Sequence, residues 1–245
     1  MDETTTNTAP DSAQPPLGLF ARLIGVVTSP RATFERVAAA PRIAAVMILM
    51  SLLIGVATGA FLVTPQGQQA WLDQQVQITE QFTKQPMPPE RYATMEKMAP
   101  FVGYGTVGGT LVFAPIIFAI EAGILYVIFT FGTGGTATFK QVLNIVILSS
   151  VIGVLGLCFN AIMQFARGTI SMTGPANLGV LLPMLADNGF LAKFLGFIDL
   201  FRVWQVMTIS MGLSVLYKKK TMSIALVLFG IYALIAGGFA AFLSR

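Results

Sequence analysis

Apolar stretches recur along the chain at residues 43–63, 107–131, 142–165, 195–216 and 222–243, and polar positions collect between them. A hydrocarbon core about 30 Å thick takes about 20 residues of helix to cross, so each stretch predicts a transmembrane helix. The first and last contain no charged residue, and none of the five shows the polar stripe of a surface helix. The expected fold is therefore an all-α integral membrane protein built as a bundle of five transmembrane helices. Composition agrees: charged residues make up 11% of the chain, against about 25% in a soluble domain.

Residues 1–16 are rich in Thr, Ala, Pro and Asp and read as a disordered tail ahead of a membrane domain over 17–245. They lack the basic stretch and apolar run of a secretory signal. From Leu17 the pattern turns amphipathic: Leu17, Phe20, Leu23, Ile24 and Val27 fall at helical spacing beside Arg22. Ser29-Pro30 then restarts a helix bearing Arg31, Phe34, Arg36 and Val37, with serine suited to a cap and proline to the first helical position. Such Arg-bearing helices before a span are expected to lie in the headgroup interface.

Between the first two spans, residues 64–100 form the longest polar connection. Trp71, Leu72, Val76, Ile78 and Phe82 share one broad side of a helix, Pro86 to Pro89 interrupts, and Glu90 to Met98 starts another helix. A helical hairpin over the outer face is predicted. The loop at 167–189 is dominated by turn residues (Ser171, Thr173, Gly174, Pro175, Asn177, Pro183, Asp187, Asn188) around an apolar patch, 178–182, too short to span. Gly134-Gly135 lacks the Gly-Lys-Ser/Thr sequence of a phosphate loop.

Orientation follows from the basic residues near the span ends. Arg22, Arg31, Arg36, Arg42, Lys140, Lys218, Lys219 and Lys220 fall on one side of a five-span chain, eight against Lys84, Arg91, Lys97, Arg167, Lys193 and Arg245 on the other. This predicts a cytoplasmic N-terminus, an interfacial basic set (Arg22, Arg31, Arg36, Arg42, Lys218, Lys219, Lys220), and a multi-pass protein of the bacterial inner membrane.

Catalytic side chains are scarce. The chain has no histidine, which excludes imidazole acid-base chemistry and histidine metal sites, and one cysteine, Cys158, inside the third span. No metal, cofactor or catalytic set is expected, and the chain reads as a non-enzyme. What stands out is polarity where hydrocarbon is expected: Glu121 in the second span, Asn160 and Gln164 in the third, Asp199, Arg202 and Gln205 in the fourth. A charge at the bilayer centre costs about 2.5–3.5 kcal/mol on insertion scales. Depth counting brings all six into one outer-half cluster, and the i,i+3 spacing predicts Arg202 neutralised by Asp199, with Glu121 near. The second, third and fourth spans would then be the inner bundle, with the first and fifth around it.

Small residues spaced by four (Ser51, Gly55, Gly59; Gly105, Gly109; Ala233, Gly237, Ala241) suit close packing within the chain or between copies.

Four pieces, in order, resemble the YIP domain family, named for Ypt/Rab-interacting proteins. They are Leu23-Ile24-Gly25-Val26-Val27-Thr28-Ser29-Pro30-Arg31-Ala32-Thr33-Phe34, Gly134-Gly135-Thr136-Ala137-Thr138-Phe139-Lys140-Gln141-Val142-Leu143, Ile198-Asp199-Leu200-Phe201-Arg202-Val203-Trp204, and Gly212-Leu213-Ser214. The resemblance implies a compact five-helix domain with a cytosolic N-terminus. In eukaryotic relatives it implies Golgi and endoplasmic reticulum proteins that engage prenylated small GTPases in vesicle traffic; the Asp-Leu-Tyr-Gly-Pro type of motif of their cytosolic segment is absent here.

Two functions remain open at this point. One is a non-enzymatic scaffold or adaptor in membrane organisation, with the lipid bilayer and protein partners at the N-terminal helices or at loop 64–100, a homo-oligomer as a further option, and no nucleic acid. The other is a small solute or ion carrier using the polar cluster.

Overall fold

The computed structural model describes residues 17–38, 43–170, 174–182 and 189–244. The expectations for the tail 1–16 and for Arg42, Ser171, Thr173, Pro183, Asp187, Asn188 and Arg245 fall outside the described residues. The helices are α1 (Leu19–Thr28), α2 (Pro30–Ala38), α3 (Ala44–Gly59), α4 (Pro65–Thr83), α5 (Pro89–Thr133), α6 (Phe139–Arg167), α7 (Phe190–Phe197), α8 (Leu200–Tyr217) and α9 (Thr221–Leu243), with a 3-10 turn at Leu178–Leu181. Among the described residues four helices, α5, α6, α8 and α9, are long and apolar enough to cross a membrane.

The first predicted span is shorter than its apolar run. Helix α3 has 16 residues, about 24 Å at 1.5 Å per residue; the chain turns after Gly59, and Thr64 caps α4 by accepting from the Gly67 amide at 3.0 Å. The second span is longer than predicted. Helix α5 has 45 residues and runs through Pro100 and Pro115, so the second arm of the predicted hairpin and the second span are one helix. A proline removes one hydrogen bond without ending a helix whose neighbours hold it, and the chain stops instead at Gly134, whose φ of 66° suits glycine.

The fourth run is broken. Helix α7 ends at Phe197, Ile198 and Asp199 are extended, and α8 begins at Leu200. By contrast, α6 and α9 follow their predicted boundaries within a few residues. Helix α6 opens on a capping box in which the Gln141 amide donates to Thr138 Oγ1 at 3.3 Å and the Thr138 amide donates to Gln141 Oε1 at 2.8 Å.

Helices α6 and α8 are the centre of the bundle. Of their apolar windows 56% and 44% are buried, against 17% for both α5 and α9. The inner pair is thus the third and fourth spans, while the second span joins the perimeter; its exposed Phe113, Ile117, Ile120 and Ile124 are the reason. Small residues set the approaches. A Cβ on Gly212 would come within 2.6 Å of Ile145, one on Gly55 within 3.2 Å of the Val107 backbone, and one on Gly59 within 2.9 Å of the Gly103 carbonyl. The first small stripe therefore seats α3 against α5, whereas Gly105 meets nothing and Gly109 only Phe113 of its own helix.

Lys140 and Lys218–Lys220 mark a basic end of the bundle, and α4 marks the opposite, hairpin end. At the hairpin end α4 starts beside the α6 terminus, with Phe61 edge-on to Phe165 and Gln66 against Gly168, and finishes with Phe82 beside Phe242 of α9. It therefore lies across this end, about 28 Å long.

Helices α1 and α2 are packed onto the bundle. Val26 and Phe34 have no exposed surface and share one core with Val142, Val146 and Leu213. The two helices meet where a Cβ on Gly25 would strike Thr33 Oγ1, and Gln141 Nε2 donates to the Ala38 carbonyl at 3.1 Å, fastening the end of α2 to the start of α6. Only the outer side of α1, with Phe20 and Ile24, remains apolar and exposed.

Candidate functional site

The break between α7 and α8 interrupts the helical backbone inside the bundle, and the polar groups it frees from Phe197 to Arg202 find partners. Leu178 donates to the Ile198 carbonyl at 2.9 Å and Leu200 to the Ala176 carbonyl at 3.0 Å, which makes an isolated antiparallel bridge between Asn177 and Asp199. Tyr232 of α9 reaches in from the side: its hydroxyl donates to the Phe197 carbonyl at 2.6 Å and accepts from the Asp199 amide at 3.3 Å. Buried Asn177 holds the facing loop, accepting from Val180 at 3.1 Å and donating to the Gly174 carbonyl. Non-helical backbone at membrane depth is stable only when protein or a cavity surrounds it, and here both do.

Asp199 is the N-cap of α8. Its Oδ1 accepts from the Phe201 amide at 2.8 Å and the Arg202 amide at 3.2 Å. The predicted ion pair between Asp199 and Arg202 does not form, because the carboxylate is turned to the helix terminus, where backbone N–H groups and the helix dipole favour it. Arg202 instead donates from Nη1 to Gln205 Oε1 at 3.0 Å. Gln205 is buried, and a Cβ on Gly153 would approach its Oε1 to 3.0 Å, so α6 makes room for this amide with a glycine. Gly156 does the same for Phe201.

These groups surround a cavity of about 690 Å³ between α3, α5, α6, α8 and α9. Glu121, Asn160, Asp199, Arg202 and Gln205 all line it, so five of the six predicted polar residues do meet in the hairpin half of the bundle. Gln164 does not; it sits one turn beyond Asn160, where its carbonyl accepts the Gly168 amide that closes α6. Tyr232 and Asn177 were missed. Beyond Ser223 at its start, Tyr232 is the one hydroxyl in the charge-free last span, a signal that was available, while Asn177 looks like any other turn residue. Among the described residues no three side chains come together as metal ligands.

The predicted interfacial set divides. Arg31 and Arg36 are exposed on α2, Arg31 pairing with Glu35 at 3.2 Å, and Lys218, Lys219 and Lys220 are exposed in the connection from α8 to α9. Arg22 is buried, its Nε donating to the Leu17 carbonyl at 2.9 Å, because the docking of α1 turns it inward. At the hairpin end Lys193 donates to the Leu243 carbonyl, a cation on the C-terminus of α9.

A helical membrane protein with several spans is the class these observations define, with α1 and α2 folded onto the first part of the bundle. The chain matches the Yip1 domain over residues 24–243 and belongs to that family. It is 28% identical over 212 residues to membrane protein YknW of Bacillus subtilis (strain 168), covering 85% of each chain. No solved structure matches. Three of the pieces that carried the resemblance are helix junctions: the turn from α1 to α2, the α6 capping box, and the capped break before α8.

Proposed function

We propose that this protein is a non-enzymatic scaffold or adaptor of a bacterial inner membrane, with its basic end in the cytoplasm and the α4 hairpin outside. The orientation rests on the clustering of Lys140 and Lys218–Lys220 with the exposed arginines of α2, and α3 serves as a shortened fifth crossing. One observation carries the reading: Phe34 and Val26 are buried to zero exposure, so α1 and α2 are held as a fixed part of the bundle. A fixed, charged helical pair at the membrane surface presents one geometry to a protein partner. Ordering cost is then met during folding, which favours binding.

Single photo-crosslinking residues at Arg31, Lys219 and Gln77 test this in cells. A discrete protein adduct is expected from Arg31 and Lys219 and is lost when Phe34→Ala loosens α2. Solute flux through proteoliposomes, abolished by Glu121→Gln and unaccompanied by any adduct, would replace the adaptor reading with the carrier. Cysteine labelling at Gln77, Gly134 and Lys219 in a Cys158→Ala background reports the orientation: reagent access to position 219 from outside reverses it.

A further inference from the structure

The cavity holds opposite charges that do not meet. Among the described residues the Glu121 carboxylate and the Asn160 amide make no hydrogen bond, and Arg202 donates to neutral Gln205; Glu121 and Arg202 attract each other across the cavity but form no ion pair within 4.0 Å. Asp199 is committed to the α8 cap. A carboxylate and a guanidinium left apart at membrane depth are each costly. The wall between them is apolar, and several of its members, Phe113 (64% exposed), Ile117 (58%) and Phe159 (39%), also belong to the lipid-facing perimeter. The cavity is therefore open at the surface of the bundle beside α5 and α6.

We propose that this cavity binds a phospholipid whose head group carries both a phosphate and a primary ammonium, entering laterally from the membrane. Arg202 takes the phosphate, since a guanidinium forms paired hydrogen bonds with phosphate oxygens. Glu121 and the Asn160 carbonyl oxygen take the ammonium, whose three N–H donors match those acceptors. The perimeter aromatics Phe113 and Phe159, with Ile117, hold the upper acyl chains. A volume of about 690 Å³ is within the usual range for small-ligand sites, about 300–1,000 Å³, and accommodates a head group with its glycerol. A choline head group has no N–H to give Glu121, and a glycerol head group supplies no positive charge. Discrimination among the three is thus built into the residues.

Native mass spectrometry of the full chain, released from nanodiscs with equal phosphatidylethanolamine, phosphatidylcholine and phosphatidylglycerol, tests this. Phosphatidylethanolamine adducts are expected to exceed each of the others about tenfold, the worth of one charge-assisted hydrogen bond. Glu121→Gln should abolish the preference over phosphatidylcholine, and Arg202→Gln should lower retention of both zwitterionic lipids. Glu121→Asp, the conservative change, should keep a preference. Equal retention of the three lipids by the unmodified protein overturns the proposal, and this comparison stands if a variant does not fold. Unchanged retention in both folded Gln variants also overturns it. So does displacement of the lipid by millimolar soluble phosphoethanolamine, which would make the ligand a soluble zwitterion.

Discussion

Helices α6 and α8 pass through two halves of the bundle that treat polarity in opposite ways. In the basic half they are packed dry: Val142, Val146 and Leu213 are fully buried, and the Tyr217 hydroxyl meets Thr130 Oγ1 at 2.9 Å. Three buried side-chain atoms, Ser51 Oγ, Asn144 Oδ1 and Ser149 Oγ, lack partners among the described residues, a neutral cost of about 1–3 kcal/mol each. In the hairpin half the same helices stay close through Gly153 and Gly156 and wall one side of a cavity, where the group without a hydrogen bond among the described residues is a carboxylate, Glu121. Tight packing is concentrated in one half; the charged side chains of the cavity lie in the other.

That division can be broken most directly at Phe34. Replacing it with alanine removes a fully buried aromatic side chain from the basic half and should cost about 3–5 kcal/mol, read as a large drop in the detergent melting temperature. If α1 and α2 only rested in the head groups, melting would hardly move. A smaller effect is expected at Tyr232→Phe, which deletes the hydroxyl bridging Phe197 and Asp199. The loss is about 1–3 kcal/mol, and hydrogen exchange should rise at Leu178, Asp199 and Leu200 while the basic half stays protected. The smallest change is Arg31→Ala, at an exposed pair, worth less than about 0.5 kcal/mol. Melting should stay constant while crosslinking at the basic end weakens.

Apolar runs with no competing signal were legible in the sequence. Helix α9 follows residues 222–243 within a residue, and α6 extends its run by one turn at the capped end. The break at Asp199 was hidden because an N-cap carboxylate and an intramembrane ion-pair partner look alike in sequence, and the backbone partners that stabilise the break, Ala176 and Leu178, lie more than twenty residues away. The polar stretch 64–100 and the apolar run from 107 read as separate elements, yet α5 runs through both and through Pro100. Depth counting located most of the polar cluster because rise per residue is nearly constant. It could not say which carboxylate was engaged, since that depends on rotamer and helix terminus.

Helix α3 has a consequence for the membrane itself. Its 16 residues reach about 24 Å, roughly 6 Å less than an average hydrocarbon thickness, while α9, with 23 residues, has length to spare. Ile48, Leu52 and Val56 on α3 face outward and give that side an apolar surface. With α3 as the fifth crossing proposed above, lipid beside α3 would be compressed and lipid beside α9 would not, a lopsided collar around one molecule. Each Å of such mismatch costs a fraction of a kcal/mol, enough to gather short-chain lipids, or a second thin-waisted protein, on the α3 side.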